Sequence, residues 1–303
     1  MELDVIAEGL HFPEGPVVMP DGSVIFVELA AGRLSRSWGN GKIETIAELG
    51  GCPAGAALGP DGAVYVANLG GMDMSTMDAL DGPGNEGRVE RVDLTNGTFE
   101  RLYDSCDGQP LSAPDDLVFD DDGGFWLTDL GKDFARHREY GGLYYGKADG
   151  SLISCGRYPA VALNGVGLAP DGKTLYTSST TTSRLWSIPV EAPGQLEPAG
   201  HAMRAGSPKT GELMATIPGD CGVDSLAVTA SGAVCVATLY RGGITTVRQD
   251  GTMDYLHLPD EYTTNIAFGG EDMRSAYITL SASGRIIRMR WKEPGLKLNY
   301  GLY

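Results

Sequence analysis

Six copies of one short pattern run through the 303 residues, and they restrict the architecture more than any other feature. Each copy is an apolar strand, a tight turn that usually contains Asp-Gly, and a second apolar strand. The copies are EGPVVMPDGSVIFVEL from Glu14, AGAALGPDGAVYVANL from Ala54, DDLVFDDDGGFWLTDL from Asp115, NGVGLAPDGKTLYTSS from Asn164, DSLAVTASGAVCVATL from Asp224 and the irregular TNIAFGGEDMRSAYITL from Thr264. Asp-Gly supplies the positive φ angles that two-residue hairpin turns require. Copies start 40 to 61 residues apart, which leaves room for a four-stranded unit and variable loops. Such a unit cannot bury both faces alone, so six are expected to pack radially and close into a ring. The pattern predicts an all-β, six-bladed β-propeller forming one domain over residues 1–303. Closure is expected where the N-terminal strand, Leu3 to Ile6, lies beside the last blade.

Aligned on their turns, the copies begin with Glu14, Ala54, Asp115, Asn164, Asp224 and Thr264. In a propeller these positions share one height around the central axis. Four of the six then aim carboxylate or amide oxygens at one point. Asp and Asn also begin strands because they favour turns. Three carboxylates converging in a channel, however, repel one another unless a cation sits between them. Glu14, Asp115, Asn164 and Asp224 are therefore the candidate ligands of one divalent ion. An oxygen-only set selects a hard ion: calcium first, with magnesium, manganese and zinc as alternatives.

Composition narrows the partners. A net charge of −17 repels phosphate backbones and anionic membranes, so no nucleic-acid or membrane partner is expected. The five cysteines are widely spaced with no CxxC pair, which indicates neither a disulfide framework nor a zinc site. The start MELDVIAEGL lacks a basic stretch followed by a long apolar run, so a cytoplasmic, reduced protein is expected. Either a monomer or a dimer fits.

The segments FPEGP (12–16), APDDLVFD (113–120), LNGVGLAPDG (163–172), GVDSLAV (222–228) and TTNIAFGG (263–270) resemble, in order, the SMP-30/gluconolactonase/LRE-like family. The resemblance implies a six-bladed propeller with one divalent metal in its channel. Many members are lactonases, and relatives include the diisopropyl-fluorophosphatase type. Glu14, Asn164 and Asp224 match the metal-binding residues, and Asp224 also matches the general base. Asp115 matches a family Asn that contacts metal or substrate. It makes residues 114–116 Pro-Asp-Asp in place of Pro-Asn-Asp and is a candidate second base. Ala113 stands where the gluconolactonase branch carries a sugar-gripping Arg, which points to a substrate less polar than a sugar lactone.

The expected activity is hydrolysis of a small-molecule lactone by metal-activated water. A phosphoester or phosphofluoridate hydrolase, a metal-dependent lyase and a non-catalytic calcium-binding propeller are the alternatives. Substrate contacts are sought in two insertions. The first, from Gly70, carries Met72, Met74 and Met77, an adaptable apolar lid or a plain surface loop. The second, from Gly131, offers Lys132, Asp133, His137 and Arg138. Asp133 roughly matches a substrate-contacting acid of the sugar-lactonase branch. His137 is a candidate proton shuttle or an ordinary surface histidine. Glu28, Asn68 and Asp129 recur six residues after a turn glycine, either orienting the ligands or capping turns.

Overall fold

The computed structural model describes residues 3–134, 136–198, 203–204, 207–208 and 210–301. Six antiparallel sheets of at least four strands surround a central axis. Blade 1 runs Pro13–Val18, Val24–Glu28, Arg33–Ser37 and Ile43–Glu48 from the inside outward. The innermost strands of blades 2 to 6 are Pro53–Leu58, Pro114–Phe119, Leu163–Leu168, Val223–Val228 and Thr263–Gly269. Each touches the next, and the last touches the first. The ring is closed by strand Asp4–Glu8, which pairs with Arg285–Arg290 as the outermost strand of blade 6. The expected closing strand is therefore correct, shifted by one or two residues.

Packing explains why both faces of the second strands are apolar. Side chains alternate across a strand. Ile25 and Val27 face blade 2, while Val24 and Phe26 face blade 6. Phe125 and Leu127 likewise face blade 2, and Trp126 faces blade 4. Six such buried clusters, one per blade junction, make up the core. Each blade is thus covered on both sides only inside the closed ring.

The hairpin turns differ from the expected two-residue form. Met19 N–H bonds Ser23 O, and Gly22 N–H bonds Met19 O. The loop is three residues long, and glycine alone takes positive φ, 81° at Gly22. Asp21 serves through its side chain, with Oδ1 accepting from Ser23 N–H at 3.0 Å. Blades 2 and 5 repeat the same two backbone bonds.

After the last blade, the C-terminal segment crosses the channel at the end away from the ring residues. Leu296 N–H bonds Val228 O, Asn299 Nδ2 donates to Phe119 O, and Tyr300 stands edge-on against Phe119. It closes an apolar chamber of about 130 Å³. No helix among the described residues is long and apolar enough to cross a membrane.

Candidate metal and active site

All six innermost strands slip register where the sequence places its ring residues. In blade 3, Pro114 pairs with Asp129 but Leu117 pairs with Leu127, and the slip falls at Asp115 and Asp116. Corresponding slips fall at Ala54, Asn164, Asp224 and Thr264, and in blade 1 directly after Glu14, which still pairs with Val27. A bulge bends the strand and re-aims a side chain. Small residues make this possible. A Cβ on Gly55 would lie 2.4 Å from Asp115 O, and one on Gly165 would lie 2.6 Å from Leu226 N. Gly15 takes φ 51° and would also collide with the blade 2 backbone.

Hydroxyl groups on the second strands, or directly after one, tie each blade to main-chain carbonyls at or beside the next blade's ring residue. Thr128 Oγ1 donates to Asn164 O, Ser178 Oγ to Asp224 O at 2.7 Å, and Ser281 Oγ to Pro13 O at 2.7 Å. Within the ring, Asn164 Nδ2 donates to Asp115 Oδ2 at 3.4 Å, and Ser225 Oγ donates to Asn164 Oδ1 at 3.3 Å. Glu14 Oε2 accepts from Gly15 N–H at 2.7 Å and Asn265 Nδ2 at 2.8 Å. Glu14, Asp115 and Asn164 are buried, whereas Asp224 is half-buried and the most open of the four.

Burial pushes the Asp115 and Asp224 carboxyls well above the usual range. Repulsion from Asp224 adds to it at Asp115, and repulsion from Glu14 at Asp224. Glu14 is also raised by burial, against the hydrogen bonds it accepts. Asp116, one residue deeper, is pushed up to about 7 by burial despite accepting from Val166 and Leu117 N–H. Such a concentration of displaced carboxyl groups marks functional sites.

A hard cation fits the chemistry of this ring. The donors are all oxygens, and Glu14 Oε1 is buried with no hydrogen-bond partner. An orphaned acceptor of that kind costs free energy unless something occupies it. The geometry is not yet a cage: among the described residues, no group of three or more His, Cys, Asp or Glu is arranged to hold a metal.

Above the ring lies an apolar patch in which Leu29, Cys52, Ala54, Leu69 and Ala113 are buried. Phe12, Met72, Met74 and Leu130 pack against it. A mouth pocket of about 110 Å³ adjoins this patch and is lined by Met72, Met77, Leu130 and Asp133. Asp133 is held ionised by Arg138, with both carboxylate oxygens at 2.5 Å from the guanidinium. His137 is exposed, stacks on Phe134 at 4.5 Å and does not line the mouth pocket.

Glu28, Asn68 and Asp129 hold the segments that feed the innermost strands. Glu28 accepts from His11 N–H and Arg33, and Asn68 Oδ1 accepts from Cys52 and Gly70 N–H. Asp129 accepts from Ser112, Ala113 and Gly131 N–H. Asn68 and Asp129 also accept from the N–H two residues on, so turn capping occurs together with anchoring of the strand entries. Asn265 and the bracketing hydroxyls were not legible as site residues. Asn265 stands directly after the ring position of the sixth copy, and that place was a usable signal.

A family model for the SMP-30/gluconolactonase/LRE-like region matches residues 12–282. The 6-deoxy-6-sulfogluconolactonase of Pseudomonas putida is 29% identical over 190 residues, covering 61% of this chain and 60% of that protein. The chain thus spans about three fifths of that relative. The gluconolactonase of Zymomonas mobilis is 23% identical, covering 97% of this chain and 82% of its own length. Regucalcin from Agrobacterium tumefaciens, a calcium-binding protein, superposes with a TM-score of 0.69 at 19% identity, covering 95% of each chain. With the family model spanning all six ring positions, the chain belongs to the SMP-30/gluconolactonase/LRE-like family.

Proposed function

We propose that this protein hydrolyses a small-molecule lactone at the ring, with one divalent cation, calcium first, held by Glu14, Asn164, Asp224 and Asp115. The buried Glu14 Oε1, which makes no hydrogen bond of ordinary geometry, carries the reading, because a bound cation would satisfy it. The names of the relatives support the lactonase chemistry, and regucalcin supports calcium. When bound, the cation would act as a Lewis acid on the scissile carbonyl.

The chain's own residues divide the remaining work. Asp224 is the most exposed member of the ring, so its carboxylate is the one best placed to meet a water and a substrate. It takes a proton from the attacking water and returns it to the leaving alkoxide. Asn164 and Ser225 orient the polar side of the ring through their shared hydrogen bond. Asp115 is a ligand or a second base. The apolar patch around Ala54 and Ala113 receives the body of the substrate, so an aliphatic or aromatic lactone suits the mouth better than a sugar lactone. Asp133, already paired with Arg138, offers its carboxylate at the rim.

The test is turnover of aliphatic, aromatic and sugar lactones by wild-type and Asp224→Asn protein with calcium present. Apolar lactones are expected to lead, and the variant to lose at least about a hundredfold in kcat, within the usual worth of a general base. Full activity in the variant removes Asp224 from the chemistry.

A further inference from the structure

A cleft of about 860 Å³ opens on the flank between blades 2 and 3, apart from the ring. Two of the five cysteines, Cys106 and Cys155, line it together. They come from different elements. Cys106 ends the short strand Ser105–Cys106, which turns through Asp107 and Gly108, both at positive φ, to pair with Gln109–Pro110. Cys155 stands on Ile153–Ala160, the outermost strand of blade 3.

Separate contacts bring the two thiols to one place. The strand that holds Cys106 lies against the strand that holds Cys155. Cys106 Sγ lies 3.9 Å from Ile153 O, and Cys155 follows Ile153 by two positions, hence on the same face of its strand. Cys155 also stands opposite Tyr144 in the ladder, and opposed residues of an antiparallel pair share a face. Tyr144 is buried in the cluster that also holds Cys106, with Ile153 packed against it. The charge of an ionised Cys155 is accordingly felt at Cys106 and at Tyr144. Cys106 is buried and Cys155 exposed, and the cleft gives small solutes a way to both.

We propose that Cys106 and Cys155 are an oxidant-responsive dithiol, which a peroxide closes into a disulfide that ties the 105–110 hairpin to the outer strand of blade 3. The Cys155 sulfur attacks one oxygen of hydrogen peroxide, the O–O bond breaks, and the hydroxide that leaves takes the thiol proton to become water. The Cys106 sulfur then attacks the sulfenic sulfur, the S–S bond forms, and the sulfenic oxygen leaves with the second thiol proton as water. Two thiols and one peroxide thus give one disulfide and two waters, and a thiol reductant reverses it. Burial raises both thiols, Cys106 to about 11, so closure is slow at neutral pH. The hairpin runs into Ser112 and Ala113, whose N–H groups Asp129 holds at the entry to Asp115. The crosslink therefore shortens the free chain leading into that entry, which stabilises the fold independently of the ring chemistry.

The test exposes reduced full-length protein to hydrogen peroxide at pH 8.5, then maps peptides by mass spectrometry without reductant. Two of the five thiols should be lost, with one peptide pair joined through Cys106 and Cys155 and no disulfide-linked dimer on a gel. The melting temperature should rise by about 5 °C, and dithiothreitol should reverse every change. Cys106→Ala and Cys155→Ala should each abolish the joined peptides and the rise. Cys155 is exposed, so its variant keeps the fold and serves as the control even if Cys106→Ala does not. A disulfide closes only between Cα atoms within about 7 Å, so the joined pair tests the juxtaposition directly. Inert thiols, a sulfinic acid at Cys155 without the joined peptides, or bridges to any other cysteine overturn the proposal. A Cys106–Cys155 bridge that leaves the melting temperature unchanged or lower overturns it too.

Discussion

Replacing Asn265 by Ala should weaken cation binding at a ring that Asn265 does not itself complete. Its Nδ2 donates to Glu14 Oε2 at 2.8 Å, which leaves Oε1 unpartnered. A hydrogen bond to a charged group contributes about 1.5–3 kcal/mol. Oε2 keeps its second donor, Gly15 N–H at 2.7 Å, so the lower end applies. Without Asn265, Glu14 is free to turn or to hold a proton, and the cation must displace both. At about 1.4 kcal/mol per tenfold, affinity for calcium should fall by about tenfold. Because burial already raises Glu14 and Asn265 opposes that rise, the loss should be larger at pH 6 than at pH 8. Calorimetric titration of metal-stripped protein with calcium at both pH values measures this. A dissociation constant within twofold of wild type at both refutes the assigned role of Asn265.

Further outcomes follow from other contacts. Gly55→Ala drives a Cβ to 2.4 Å from Asp115 O, and neither backbone can yield cheaply, so stability should drop by about 2–3 kcal/mol in urea titration. Asp129→Ala strands the buried N–H groups of Ala113 and Gly131 and the part-buried one of Ser112 and should cost about 3 kcal/mol or more, read by the same titration. Asp116 is raised to about 7 in the folded chain, so metal-free protein binds more protons folded than unfolded between about pH 4 and 7. Its stabilising share is full at low pH and is lost as pH rises through 7. The melting temperature of chelated protein should therefore fall from pH 5 to pH 8, and calcium should restore it at pH 8. A melting temperature that rises over that range contradicts the sign.

The blades were legible because their signals are local. Apolar alternation and Asp-Gly turns recur at fixed offsets, and aligning them picks out Glu14, Asp115, Asn164 and Asp224 without any knowledge of contacts. The bulges were not legible, since a register slip depends on the partner strand. Gly55 and Gly165 show why those positions are small only once the neighbouring backbone is in view. The same holds for Thr128, Ser178 and Ser281, whose hydroxyls bond main-chain carbonyls of another blade. A carbonyl acceptor leaves no trace in the pattern of side chains. His137 shows the opposite problem: a chemically suggestive residue in the right insertion that the fold turns toward Phe134 and solvent.

The central claim is that one hard cation in the ring makes this propeller a lactonase. Its most direct test follows γ-lactone hydrolysis while calcium is titrated into metal-stripped protein. Turnover is expected to be absent at the start and to rise in parallel with calcium binding, reaching its plateau at one ion per chain. Full turnover in the stripped protein, or calcium binding at the ring with no turnover of any lactone, would contradict the account.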